Sequence, residues 1–123
     1  MKKLQETPYQ SIDSINLDLG NNRINENGAK YLGEGIAKCV TLASLNLNLK
    51  KNSIVDNGAK HLGEGIAKCV TLTYLDLNLY ENSISENGVK YLGEEIAKCS
   101  TITYLNIGLS NYYIYKNIER ILA

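Results

Sequence analysis

The sequence predicts an α/β protein built as a stack of repeats, with parallel strands forming one wall and helices the other. Three observations carry this. Residues 21–50, 51–80 and 81–110 superpose without a gap at a period of 30, the first two units matching at 21 of 30 positions and the last two at 18 of 30. Each unit contains a short segment that alternates leucine with polar residues, which is the period of a strand buried on one face. Each also contains a longer segment whose apolar residues recur at three and four, the period of an amphipathic helix. A strand, turn and helix of this length cannot bury their own apolar faces, so units stacked side by side share one continuous core.

The elements follow in order. The start, MKKLQETPYQ, carries two lysines with no apolar stretch behind them and is not expected to act as a secretory signal. A half repeat, YQSIDSINLDLG (9–20), aligns with CVTLASLNLNLK (39–50) and supplies the first strand. In the full units Leu45, Leu47 and Leu49 point inward, while Ser44, Asn46, Asn48 and Lys50 point outward. Ala59, Leu62, Gly63, Ile66 and Ala67 form the apolar stripe of a helix. Its outer face carries Lys60, Glu64 and Lys68, an i, i+4 pattern of alternating charge that recurs in all three units and is expected to be a solvated face. Glu26, Asp56 and Glu86 stand where a carboxylate favours the helix N-terminus. Gly33, Gly63 and Gly93 lie on the inner stripe, consistent with close approach to a neighbouring element. Gly35 and Gly65 are expected to face outward, and Glu95 replaces them in the third unit. The tail, NYYIYKNIERILA (111–123), is a degenerate repeat in which Ile114, Ile118, Ile121 and Leu122 are expected to form a short capping helix. The whole chain, 1–123, is thus expected to be one domain.

Composition narrows the function. Hydrophobic residues make up 44% of the chain and charged ones 21%, as in an ordinary folded protein. Thirteen basic residues balance thirteen acidic ones, so no global field favours nucleic acid or an anionic membrane. No apolar run approaches the roughly 20 residues that span a bilayer. Three cysteines and no glycosylation sequon point to a reducing, cytoplasmic setting. Cys39, Cys69 and Cys99 are spaced by 30 and form one column at the helix ends, where they read as small buried hydrophobes. A column spreads ligands along a line, whereas zinc needs four converging on a point. The single histidine, His61, and the lack of a P-loop, nucleophile elbow or dinucleotide fingerprint argue against an enzyme and against a bound cofactor. Asp18 and Asp76 face the same way but stand two strands apart, roughly 10 Å, too far to work as a pair.

The phrase L-x-x-L-x-L followed by N-x-I, then a G-A-K-x-L-G-E-G-I helix, resembles the leucine-rich repeat of the ribonuclease-inhibitor-like class over residues 9–123. The resemblance implies a short solenoid arc, with parallel strands on the concave face and helices on the convex face. It also implies a ladder of turn asparagines, Asn22, Asn52 and Asn82, bonding the backbone of adjacent units, and protein binding on the concave face. The chain departs from the usual phrase by two inserted residues, giving Leu42, Leu45, Leu47, Leu49, Asn52, and the same spacing recurs from Leu72 to Asn82. The insertion adds one in–out pair, lengthening the strand by about 6–7 Å.

Outward strand positions then form a grid. Its columns are Ser14, Ser44, Tyr74, Tyr104; Asn16, Asn46, Asp76, Asn106; Asp18, Asn48, Asn78, Gly108; and Gly20, Lys50, Tyr80, Ser110. Tyr74 and Tyr104 in adjacent strands, with Tyr80 nearby, make an amphipathic patch of the kind enriched at interface hot spots. The alternative is that the pair only stabilises the sheet. The expected function is a non-catalytic interaction module that binds a protein or peptide through Tyr74, Asp76, Asn78, Tyr80, Tyr104 and Asn106, with Asn46, Asn48 and Lys50 at the rim. Two alternatives stand beside it. One is a regulatory adaptor of a signalling enzyme such as a small GTPase, which the resemblance suggests. The other is a structural fragment of a longer repeat array. The first strand lacks a preceding helix, and such an edge is a template for pairing. A monomer is expected, with self-association through that edge as the alternative.

Overall fold

The computed structural model describes residues 12–109. It is an α/β arrangement of alternating strands and helices: β1 (Ser14–Asp18), α1 (Glu26–Ala37), β2 (Ser44–Asn48), α2 (Asp56–Ala67), β3 (Tyr74–Asn78), α3 (Glu86–Ile96) and β4 (Tyr104–Gly108). The strands form one parallel sheet in the order β1-β2-β3-β4. Each residue pairs with the one 30 positions on, as in Ser44↔Tyr74 and Tyr74↔Tyr104, so the columns read from the repeat are columns of the sheet. The expected tail cap and Ser110, together with residues 1–11 and so the start of the half repeat, lie outside the described residues.

The alternation decides which face is buried. Leu45, Leu47, Leu75 and Leu77 are fully buried and join Leu62, Ile66, Leu92 and Ile96 of the helices in one core. The inserted leucines belong to it as well, Leu49 being 0% and Leu79 1% exposed. Pairing also continues past the strand ends, since Leu49 N donates to Asn78 O at 2.8 Å and Lys51 N to Tyr80 O at 2.9 Å. The chain then turns sharply: Asn21, Lys51 and Glu81, equivalent in their units, have φ of 56°, 57° and 58°. A non-glycine residue in this left-handed region is strained, asparagine least. Nothing in the leucine pattern announces this turn.

The helices begin at the expected carboxylates, Glu26, Asp56 and Glu86. Only the first has a side-chain cap, Asn25 Oδ1 accepting from Gly28 N at 3.0 Å. Val55 cannot cap, and Ser85 instead donates its hydroxyl to Asp56 Oδ2 at 2.5 Å and its N–H to Asp56 Oδ1 at 2.7 Å, linking one helix start to the next.

One expectation about the helices is corrected. Gly65 does not face outward: it is buried, and a methyl there would overlap the carbonyl of Gly33 in α1. A methyl on Gly33 would in turn lie 2.5 Å from the carbonyl oxygen of His61 in α2. The two glycines let α1 and α2 touch backbone to backbone. Glu95 has the same relation to Gly63 that Gly65 has to Gly33, and its Cβ is accommodated there. Gly35, by contrast, has open space where a Cβ would stand. The outer charges are solvated as expected, Lys60, Glu64 and Lys68 all being exposed. Lys98 pairs with Glu95 at 3.0 Å, and His61 Nδ1 lies 3.3 Å from Glu64 Oε1, both at i, i+3. Lys60 leans over the Tyr91 ring of the next helix, 5.3 Å from its centre, rather than pairing with Glu64. Exposed i, i+4 pairs are worth only about 0.3–0.5 kcal/mol, so a nearby aromatic face can outcompete them.

Side-chain bonds to the preceding unit bind the stack together. Asn52 Nδ2 donates to Leu19 O at 3.1 Å and Leu49 O at 3.0 Å, while its Oδ1 accepts from Asn22 N at 3.0 Å and Ile24 N at 2.9 Å. Asn82 repeats this, donating to Leu49 O at 2.9 Å and accepting from Ile54 N at 3.0 Å. Asn22 departs from the expected ladder. It is exposed, and its Nδ2 donates to Gly20 O at 3.1 Å. Threonines make a second set of links, with Thr41, Thr71 and Thr101 hydroxyls donating to Ile12 O, Leu42 O and Leu72 O. The buried thiols of Cys69 and Cys99 reach Ile36 O at 3.4 Å and Ile66 O at 3.6 Å.

Candidate interaction surface

The outward sheet face is built by strand register. Because Tyr74 and Tyr104 are partners on adjacent parallel strands, their rings are forced side by side, with centroids 4.4 Å apart and planes within 5°. Parallel stacking is one of the geometries aromatic pairs favour, and the strand register holds the rings in it. Tyr104 remains 46% exposed and Tyr80 44%, while Tyr74 is half-buried. Crowding by its neighbours, with Tyr104 and then the Asp76 charge beside it, raises the Tyr74 phenol above its ordinary value. The hydroxyl therefore stays protonated, able to donate and accept, at neutral pH.

The row below holds Asn16, Asn46, Asp76 and Asn106. Asn106 Nδ2 donates to Asp76 Oδ1 at 3.3 Å. In the next row Asn48 Nδ2 donates to Asp18 Oδ1 at 3.0 Å. This third row also closes the strand ends. Asp18, Asn48 and Asn78 each accept the backbone N–H two residues on, from Gly20, Lys50 and Tyr80 at 3.1, 3.0 and 2.9 Å. Asn48 and Asn78 are among the expected binding residues, yet their side-chain oxygens are engaged in these turns. The Asx-turn signal, an Asp or Asn at this position in the half repeat and the first two full units, is present in the sequence. At the far end Lys50 stands over the Tyr80 ring, 5.8 Å from its centre. The structure thus brings Tyr74, Tyr104 and Asp76 into one cluster with Asn106. Tyr80 and Lys50 form a second cluster at the opposite end of the strands.

Among the described residues no three His, Cys, Asp or Glu side chains gather where they could hold a metal ion. The cysteines are free and buried, and burial, with Cys39 and Cys99 on either side, pushes the Cys69 thiol up to about 11, far from a reactive thiolate. No helix of the described residues is long and apolar enough to cross a membrane. Comparison with protein-family models gives no match, and comparison with curated proteins gives none either.

Proposed function

We propose that the chain is a leucine-rich-repeat solenoid of the ribonuclease-inhibitor-like class and serves as a non-catalytic interaction module. On this reading it works in the cytoplasm and takes a protein or peptide on its concave sheet face. The observation that carries it is the tyrosine pair. The inward columns stay leucine or isoleucine through every full unit, and the helix-end cysteines and turn asparagines stay constant too, because the stack needs them. The outward column instead changes from Ser14 and Ser44 to Tyr74 and Tyr104, raising two aromatic rings where the fold asks for none. Tyrosine offers a large contact area at low entropic cost, together with a polar tip. Four strands give a face about 15–19 Å wide, suited to an interface at the lower end of the usual size range and to weak or multivalent binding.

The test compares the wild-type chain with a Tyr74→Ser, Tyr104→Ser variant, which restores the residue of the first two strands. Circular dichroism and a thermal melt first establish that the variant is folded. A partner cross-linked by the wild type and lost by the variant supports the reading. Equal capture by both would sink it and turn attention to the helical face.

A further inference from the structure

The tyrosine pair forms a wall beside a low floor. One face of Tyr74 is covered by Tyr104, with ring centres 4.4 Å apart and planes within 5°. The opposite face therefore turns toward β2, where its register partner is the small Ser44. Below Ser44 on the same strand comes Asn46, whose register partner is Asp76. A side chain lying over Ser44 and Asn46 thus meets a flat aromatic face on one side and a carboxylate on the same side, one row down. Rows are about 7 Å apart and strands about 4.8 Å, so one planar group spans both contacts. Asp76 accepts from Asn106 Nδ2 at 3.3 Å, on the side away from that floor. A carboxylate has about four acceptor sites, so this bond leaves most of them open.

Charge on this face agrees. Among the described residues its outward strand positions carry Asp18 and Asp76 against one cation, Lys50. Lys50 stands at the far end over Tyr80, two rows from Asp76. Two rows are roughly 13 Å, beyond the ~8 Å screening length of physiological salt. The described residues therefore set a negative local field beside the tyrosines, although the chain as a whole is neutral.

We propose that this face recognises an arginine-bearing segment of a protein partner, with the guanidinium stacked on the free face of Tyr74 above Ser44 and Asn46 and paired with Asp76. This inference rests on the interaction-module reading and names the chemistry of its partner. Arginine fits better than lysine because a planar guanidinium lies flat on a ring and bonds a carboxylate with two parallel N–H groups, whereas an ammonium is a compact, strongly hydrated point charge.

The experiment pans a random heptapeptide display library on the full-length chain and counter-screens the retained peptides on the folded Tyr74→Ser, Tyr104→Ser variant. Peptides that depend on the tyrosines are synthesised and titrated by calorimetry against wild type and Asp76→Asn. The expected result is enrichment of arginine among them, with affinity falling roughly tenfold when that arginine becomes citrulline. A similar loss is expected for Asp76→Asn, along with weaker binding as salt rises. Tyrosine-dependent peptides without basic enrichment, or with full affinity for Asp76→Asn, would overturn the arginine proposal and leave the interaction module standing. A library that yields no tyrosine-dependent peptide would overturn both.

Discussion

Asn52 and Asn22 hold equivalent places in successive units, yet only Asn52 has five backbone groups of two units relying on it. Removing a buried partner costs the desolvation of every group left unpaired, about 1–3 kcal/mol each before relaxation. Asn52→Ala is therefore expected to lower stability by about 3 kcal/mol, and Asn22→Ala by less than about 0.5 kcal/mol, both read from urea midpoints. The buried thiols give a second residue-scale expectation. In the folded chain Cys69 titrates at about 11 against an ordinary 9.0, so the unfolded state loses its proton first. The stability this group contributes is complete below pH 9 and is lost as pH rises toward 11, on the order of 2 kcal/mol. Urea midpoints measured across that range should fall, and should fall less in Cys69→Ala. A pH-independent difference between the two proteins would show that the thiol does not titrate this way.

At the scale of the element, α1 and α2 show how one residue type can have opposite consequences two positions into neighbouring contacts. Gly65 meets the Gly33 backbone, so Gly65→Ala must push the helices apart toward the arrangement that Glu95 occupies beside Gly63. The expected cost is about 1–3 kcal/mol. Gly35→Ala, at the equivalent position of α1, enters open space and should stabilise by up to about 1 kcal/mol, the difference in helix propensity. Thermal melts of the two variants, shifting in opposite directions, would check both. Two variants shifting alike would mean that the glycines are equivalent, as the repeat alone suggests.

For the whole molecule, a stack in which each unit touches its neighbours should be firmest in the middle. The inward leucines of β2 and β3 are fully buried, whereas Leu17 of β1 is 42% exposed and Leu105 of β4 only half-buried. Amide hydrogen exchange is expected to be slowest in β2, β3 and α2 and faster in β1 and β4, tracking this gradient. Uniform protection from β1 to β4 would instead mean that the described residues open as a single cooperative unit.

The strands, their register and the inward leucine columns were legible in the sequence because they depend only on local period: alternation picks the buried face, and the 30-residue repeat aligns one strand with the next. The stacked tyrosines follow from the same arithmetic, since in-register parallel strands leave neighbouring rings no other place. What the sequence did not decide are contacts set by distance between elements. Gly65 and Gly35 share a repeat position, but only the depth of the α1–α2 contact makes one buried against a backbone and the other open. Lys60 has Glu64 on its own helix, yet Tyr91 of the next helix lies close enough to take it. Asn22 carries the ladder residue without the ladder, because the role belongs to a pair of adjacent units and not to the residue. Periodicity is a property of one chain segment and can be read from it. Side-chain partnership depends on how closely two segments pack, and only the tertiary structure sets that distance.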